Sequence, residues 1–242
     1  MIQKLKVIGM ISALAILLFI IQYKILDKDT WDSWNLPLSG KIIYIDPGHG
    51  GPDGGAGDQD ALEKDIALNV SLMVRDYLQE QGALVILTRE KDEDLADEGT
   101  KGYSRRKVED LKKRLSLINE SEADLFLSIH LNSIPSAKWS GAQTFYNPKY
   151  KENKALAKAI QGELIRNLEN TTREAKGIQN VYILKHAKKS GALVEIGFLS
   201  NPGERANLLK EDYQQKIAAS VYQGVLNYLT MEEEDKEKAD EE

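Results

Sequence analysis

The 242-residue sequence predicts a single α/β domain: a twisted, mostly parallel sheet with helices on both faces. Three observations carry that expectation. Short β-branched runs alternate with amphipathic stretches of 12–19 residues, the pattern of crossover connections. Several of those runs break into glycine or a polar residue at their C-terminal ends. Hydrophobic residues make up 42% of the chain, enough for one real core without disulfides, since cysteine is absent.

The elements follow in order. Lys41–Asp46 (KIIYID) reads as a buried strand, broken by Pro47-Gly48-His49-Gly50-Gly51-Pro52. A helix runs from Glu63 to Gln81, with Ile66, Val70, Met73 and Tyr77 on one face and Gly82 beyond its C-terminus. Ala83–Leu87 is the next strand, ending in Thr88-Arg89. The polar stretch 90–104 reads as a surface loop. Arg106–Asn119 reads as a helix with Val108, Leu111, Leu115 and Ile118 inward. Leu125–Ile129 is a strand running into His130, and Gln143–Tyr146 is another. Glu152–Leu168 is helical, Tyr182–Leu184 a short strand, and Ala192–Ile196 a strand leading to Gly197-Phe198. Helices at Pro202–Leu209, with proline in the first turn, and Glu211–Leu229 complete the body.

The ends differ from the body. Lys4 and Lys6 precede Val7–Ile21, which carries no charge. A signal anchor and a cleaved signal peptide compete for residues 1–26. The lack of an Ala-x-Ala site favours the anchor, reached if the span extends through Leu26 with Lys24 snorkelling. Either way the body is exported, membrane-anchored or secreted. Residues 27–40 read as a linker, 41–230 as the catalytic domain and 231–242 as a disordered acidic tail. Glu232–Glu242 carries the whole net charge of −6. The neutral body offers no basic footprint for nucleic acid.

Chemistry is concentrated at one sheet edge. The chain has three histidines: His49, His130 and His186. His49 and His130 each follow a strand, and the C-terminal ends of parallel strands share an edge. Glu63, at the first helix start, can fold back beside His49 through a glycine-rich loop. Two imidazoles, a carboxylate and an open fourth position are the pattern of a catalytic zinc site. Glu195, within the apolar strand ALVEI, lies on the same edge and is costly there without a partner. A phosphate-binding loop at GHGGPDGG is disfavoured, because the Gly-Lys-Ser/Thr ending is missing.

IDPGHGGPDGGA, ALEKDIALN, LFLSIHLNS and LVEIGFLSN together resemble the zinc-dependent N-acetylmuramoyl-L-alanine amidases, the Amidase_3 family, over about residues 41–229. The resemblance implies an amidase/zinc-exopeptidase-like α/β fold, Zn2+ held by His49, Glu63 and His130, and Glu195 as the catalytic carboxylate. It implies hydrolysis of the amide between the lactyl group of N-acetylmuramic acid and L-alanine in peptidoglycan. The single-domain, N-terminally anchored layout resembles the family's spore-cortex, germination-specific members in endospore formers. That implies work ahead of a muramic acid deacetylase, leading to muramic δ-lactam, in the forespore intermembrane space or cortex. Asn132, Arg89 and Arg114 are expected to contact substrate, against a scaffold reading for the two arginines. The segment 90–107 departs from the family in being longer and highly charged. Two other readings stay open: another exported zinc hydrolase, such as a carboxypeptidase or deacetylase, and a non-enzymatic membrane-anchored wall-binding module.

Overall fold

A computed structural model describes residues 9, 10, 12, 14–20, 22 and 36–231. The anchor and linker expected at 1–40 fall largely outside the described residues, and the acidic tail does so from 232 onward. Among the described residues no helix is long and apolar enough to cross a membrane.

The body from Leu38 onward contains a six-stranded sheet. Its strands are β1 (Ile42–Pro47), β4 (Leu84–Leu87), β5 (Leu125–Asn132), β6 (Gln143–Tyr146), β7 (Lys176–Gly177) and β8 (Ser190–Phe198). The spatial order is β4-β1-β5-β8-β6-β7, and β2 (Gly57–Asp58) with β3 (Ala61–Leu62) forms a separate small hairpin. β4, β1, β5 and β8 are parallel, whereas β6 runs antiparallel to β8. The sheet is therefore mixed at one side, and only its four-strand parallel part presents strand ends on a common edge.

Side-chain alternation splits the core in two. Ile43, Ile45, Leu127, Ile129, Val194 and Ile196 face the larger core, covered by α1 (Glu63–Glu80), α3 (Lys151–Leu168) and α6 (Glu211–Thr230). Tyr44, Phe126 and Leu193 face the smaller one, covered by α2 (Tyr103–Glu120) and α4 (Tyr182–His186). Helices thus lie on both faces, as expected. Gly82 stands just past α1 at φ 93°, a conformation that favours glycine. Asn201 caps α5 (Pro202–Leu208), accepting from the backbone N–H groups of Gly203 and Glu204, with Pro202 in the first turn.

Three sequence expectations need correction. The buried stripe of α1 runs through Ile66, Val70, Val74 and Leu78, with Met73 and Tyr77 only half covered at its margin. In α2, Val108 is 53% exposed. Ile118 is buried and Leu111 and Leu115 pack partly against the smaller core as expected, but Asp110 and Arg114 are also buried on the helix, as an ion pair. Tyr182–Leu184 is helical and not a strand. Ile183 and Leu184 are adjacent yet both buried, which a strand with one covered face cannot achieve, and Ala187 N–H closes on Ile183 C=O at 2.9 Å.

Candidate metal centre and reaction site

The expected convergence is present. His49 sits two residues past β1, His130 lies near the end of β5, and Glu63 opens α1. One donor atom from each falls within 4.8 Å of the others. His49 Nε2 is 3.1 Å from Glu63 Oε2, and His130 Nδ1 is 2.9 Å from Glu63 Oε1. The two rings meet edge-on with centroids 5.1 Å apart.

Local backbone makes this approach possible. His49 adopts a left-handed conformation (φ 60°), which swings its ring back over the strand end. A side chain at Gly48 would put its Cβ 2.4 Å from the His130 ring. One at Gly55 would fall 2.6 Å from Glu63 Oε2 and 2.7 Å from His49 Cδ2. The glycines of the loop therefore exist to let three ligand-type side chains occupy one small volume.

Each donor is also oriented from behind. Glu63 is buried, and its two oxygens accept backbone N–H groups from Leu131 (2.9 Å) and Ala56 (2.8 Å). Burial alone would raise its pKa, but hydrogen bonds from His130 and His49 hold the carboxyl well below the usual range. Asp53 Oδ2 lies 2.9 Å from His49 Nδ1, which leaves Nε2 turned to the centre. Asp53 also accepts from Tyr103 Oη and Lys107 Nζ, at 2.8 and 2.9 Å. Burial opposes the charged form of His49, yet Asp53 and Glu63 together raise its pKa to about 9. Asp53 was not among the residues expected from sequence. The only hint is its position four residues after His49 in a tight turn.

The donor set fits a divalent cation of the zinc type. One donor atom from each of the three side chains lies within 4.8 Å of the others, close enough to share one ion. Two nitrogens and a carboxylate oxygen also suit that metal's preference.

Glu195 is the Cα partner of His130 across β5–β8, so the two side chains project from the same sheet face. Its Oε2 is buried without a hydrogen-bond partner. Burial raises its pKa to about 7, with His130 opposing and Glu63 adding to the rise. A poised, unsatisfied carboxyl beside a metal-type cluster is equipped to exchange protons near neutral pH.

Arg89 and Arg114, read from the sequence as either substrate contacts or scaffold, are 2% and 1% exposed, which fits the scaffold. Arg114 holds Asp46 (2.9 Å), Asp110 (2.8 Å) and the carbonyls of Pro47 and His49. Arg89 holds the carbonyls of Pro47, Gly48, Lys64 and Lys91. Both are struts under the His49 loop, because every carbonyl there turned away from the sheet needs a donor. Asn132 is half-buried at the end of β5 and pairs in register with Phe198. The charged 90–107 segment folds onto the same loop. Asp92 accepts from Gly51 N–H (2.8 Å) and pairs with Lys64 (2.7 Å), while Arg106 binds Asp94. His186 is exposed and stacks on Tyr182, with no role in the cluster.

A family model described as N-acetylmuramoyl-L-alanine amidase (Amidase_3) matches residues 43–227. The chain is 61% identical over 228 residues to the germination-specific N-acetylmuramoyl-L-alanine amidase of Bacillus subtilis, covering 94% of this chain and 96% of that one. Among solved structures, it resembles the CwlD amidase of Clostridioides difficile in complex with the GerS lipoprotein (TM-score 0.77, 42% identity), over 80% of this chain and all of that one. It also resembles the catalytic domain of CwlV, an amidase of Bacillus (Paenibacillus) polymyxa (TM-score 0.67, 29% identity), over 79% and 99% of the two chains.

Proposed function

The chain belongs to the N-acetylmuramoyl-L-alanine amidase family, and from that premise we propose a residue-level mechanism for hydrolysis of the amide between muramic acid and L-alanine in peptidoglycan. The observation that carries it is the His49–Glu63–His130 donor cluster with the unpartnered Glu195 oxygen beside it. In this reading His49 Nε2, His130 Nδ1 and a Glu63 oxygen would hold Zn2+. When bound, zinc supplies Lewis acidity that polarises a carbonyl and brings the pKa of water toward about 7.

The chain's own groups do the rest. Glu195 Oε2 accepts a proton from the attacking water and returns it to the departing alanine amine, which would otherwise leave as an unstable anion. Its buried oxygen without a hydrogen-bond partner leaves it free to take up and release that proton. Asp53 fixes the His49 tautomer, and Arg89 and Arg114 hold the loop backbone that presents the ring. Asn132, half-buried two residues beyond His130, would hydrogen-bond substrate.

The similarity to a germination-specific enzyme supports a role in the spore cortex. There, release of stem peptides would expose muramic acid to a deacetylase and so lead to δ-lactam. Residues 1–26 would hold the exported body at the membrane.

Mass spectrometry of defined peptidoglycan, incubated with and without chelator, tests the reading. The expected products are a peptide beginning with L-alanine and intact N-acetylmuramic acid, both lost on chelation. Release of acetate or of a terminal amino acid alone would point to another hydrolase. Glu195→Gln should lower turnover by at least about 100-fold while zinc content, measured by elemental analysis, stays at one per chain. Near-normal hydrolysis by that variant would remove Glu195 from its role.

A further inference from the structure

On the far side of Glu195 lies an arginine outside the His49–Glu63–His130 cluster. Gln143 in β6 is the antiparallel partner of Glu195 in β8, so their side chains are neighbours on one face. Arg173, in the loop before β7, donates through Nη1 to Gln143 Oε1 (3.3 Å) and through Nε to Ser140 C=O (3.1 Å). Arg173 is therefore one side chain removed from the proposed reaction carboxylate.

The setting of this guanidinium differs from that of the buried pair. Its Cζ lies 5.2 Å from the Trp139 ring centroid and 5.3 Å from that of Phe198. Trp139 is 51% exposed, in the loop that follows the His130 strand, and Arg173 itself is partly exposed. Among the described residues no carboxylate forms an ion pair with it. Glu204 feels the Arg173 charge, but its oxygens already accept from the Gly141 and Phe198 N–H groups. Nη2 has no partner. Aromatic contacts that steady the guanidinium, with a donor left uncommitted at the surface, suit recognition of a carboxylate.

The substrate has such a group at a suitable reach. The peptide released on cleavage starts with L-alanine, and its second residue is linked onward through its side-chain carboxyl. That residue keeps a free α-carboxylate about two residues, roughly 7 Å, from the scissile amide. We propose that Arg173, steadied by Trp139 and Phe198, binds this α-carboxylate and determines specificity for it. The inference rests on the amidase reading, with Glu195 at the reaction centre.

The test uses two defined peptidoglycan fragments that differ only in whether the second stem residue carries an α-carboxylate or an α-carboxamide. The zinc-loaded wild-type chain should prefer the carboxylate by about 10- to 100-fold in kcat/KM. Arg173→Gln should bring that ratio close to one, chiefly through KM on the carboxylate fragment, with melting temperature and zinc content unchanged. Arg173→Lys keeps the charge without the planar fork and should retain part of the preference. It also serves as the informative variant should Arg173→Gln fold poorly. Equal losses on both fragments, or no preference in the wild type, would overturn the proposal while leaving the amidase intact. Cleavage of neither fragment by zinc-loaded wild type would overturn the underlying reading as well.

Discussion

On the β1–β4 side of the site, Arg114, Arg89, Asp46 and Asp110 are all buried, and every one is engaged. Asp46 accepts from Arg114, Thr88 and Ser128, at 2.8–2.9 Å. Burial would raise its pKa, but Arg114 and the other donors hold the carboxyl below the usual range. On the β8–β6 side, Glu195 has a buried oxygen with no partner, and Arg173 has a donor to spare. Charged groups with complete partners rigidify a loop. Groups left incomplete keep their interaction energy for something that arrives from outside. The same residue type, arginine, is a strut on one side and a recognition element on the other, and the difference lies in how many of its donors are already occupied.

The contrast is most severely tested by removing a strut. Arg114→Met leaves Asp46 buried with its main counter-charge gone, and should destabilise the fold by about 3–5 kcal/mol in urea unfolding. A loss under about 1 kcal/mol would mean that the network is not what holds this side. Next in size is Asp53→Asn, which keeps the side-chain shape but weakens the orientation of His49. Zinc affinity, measured against a competing chelator, should fall by about 10- to 100-fold with little change in the metal-free melt. Unchanged affinity would make Asp53 a bystander.

A pH-dependent effect sharpens the other side. Glu195 has its pKa raised from 4.5 to about 7 by burial, so the folded chain retains a proton that the unfolded chain gives up. Its contribution must therefore decline as pH rises from about 4.5 to 7, and flatten above that. Glu195→Gln abolishes this cost. In chelator-treated protein the variant should match the wild type near pH 4 and exceed it by up to about 3 kcal/mol at pH 8. Parallel pH profiles for the two proteins would show that the carboxyl is not strained by its surroundings.

Much of the site could be read in advance because it obeys chain-local rules. His49, His130 and Glu195 each belong to an apolar run that ends in a parallel strand, and Glu63 stands where a helix begins. What escaped was set by partners distant in sequence. Arg173 occupies an ordinary polar loop, and nothing near it in the chain foretells Trp139, Gln143 or Phe198. The inward face of α2 was misjudged at Val108 because apolar periodicity does not register a buried Arg114 paired with Asp46, 68 residues away. The three-residue run at Tyr182 was too short for its period to separate strand from helix.

By itself, then, the amino-acid order determined the alternation of strands and helices, the crowding allowed by Gly48 and Gly55, and the presence of ligand-capable groups along one sheet edge. These depend on backbone preferences and hydrophobic periods that act over a few residues. Only the tertiary structure decided which arginines are consumed inside, which one faces outward, and that Glu195 is left with an unanswered oxygen. Whether a polar group is satisfied depends on every neighbour that packing brings to it, and those neighbours lie tens of residues away along the chain.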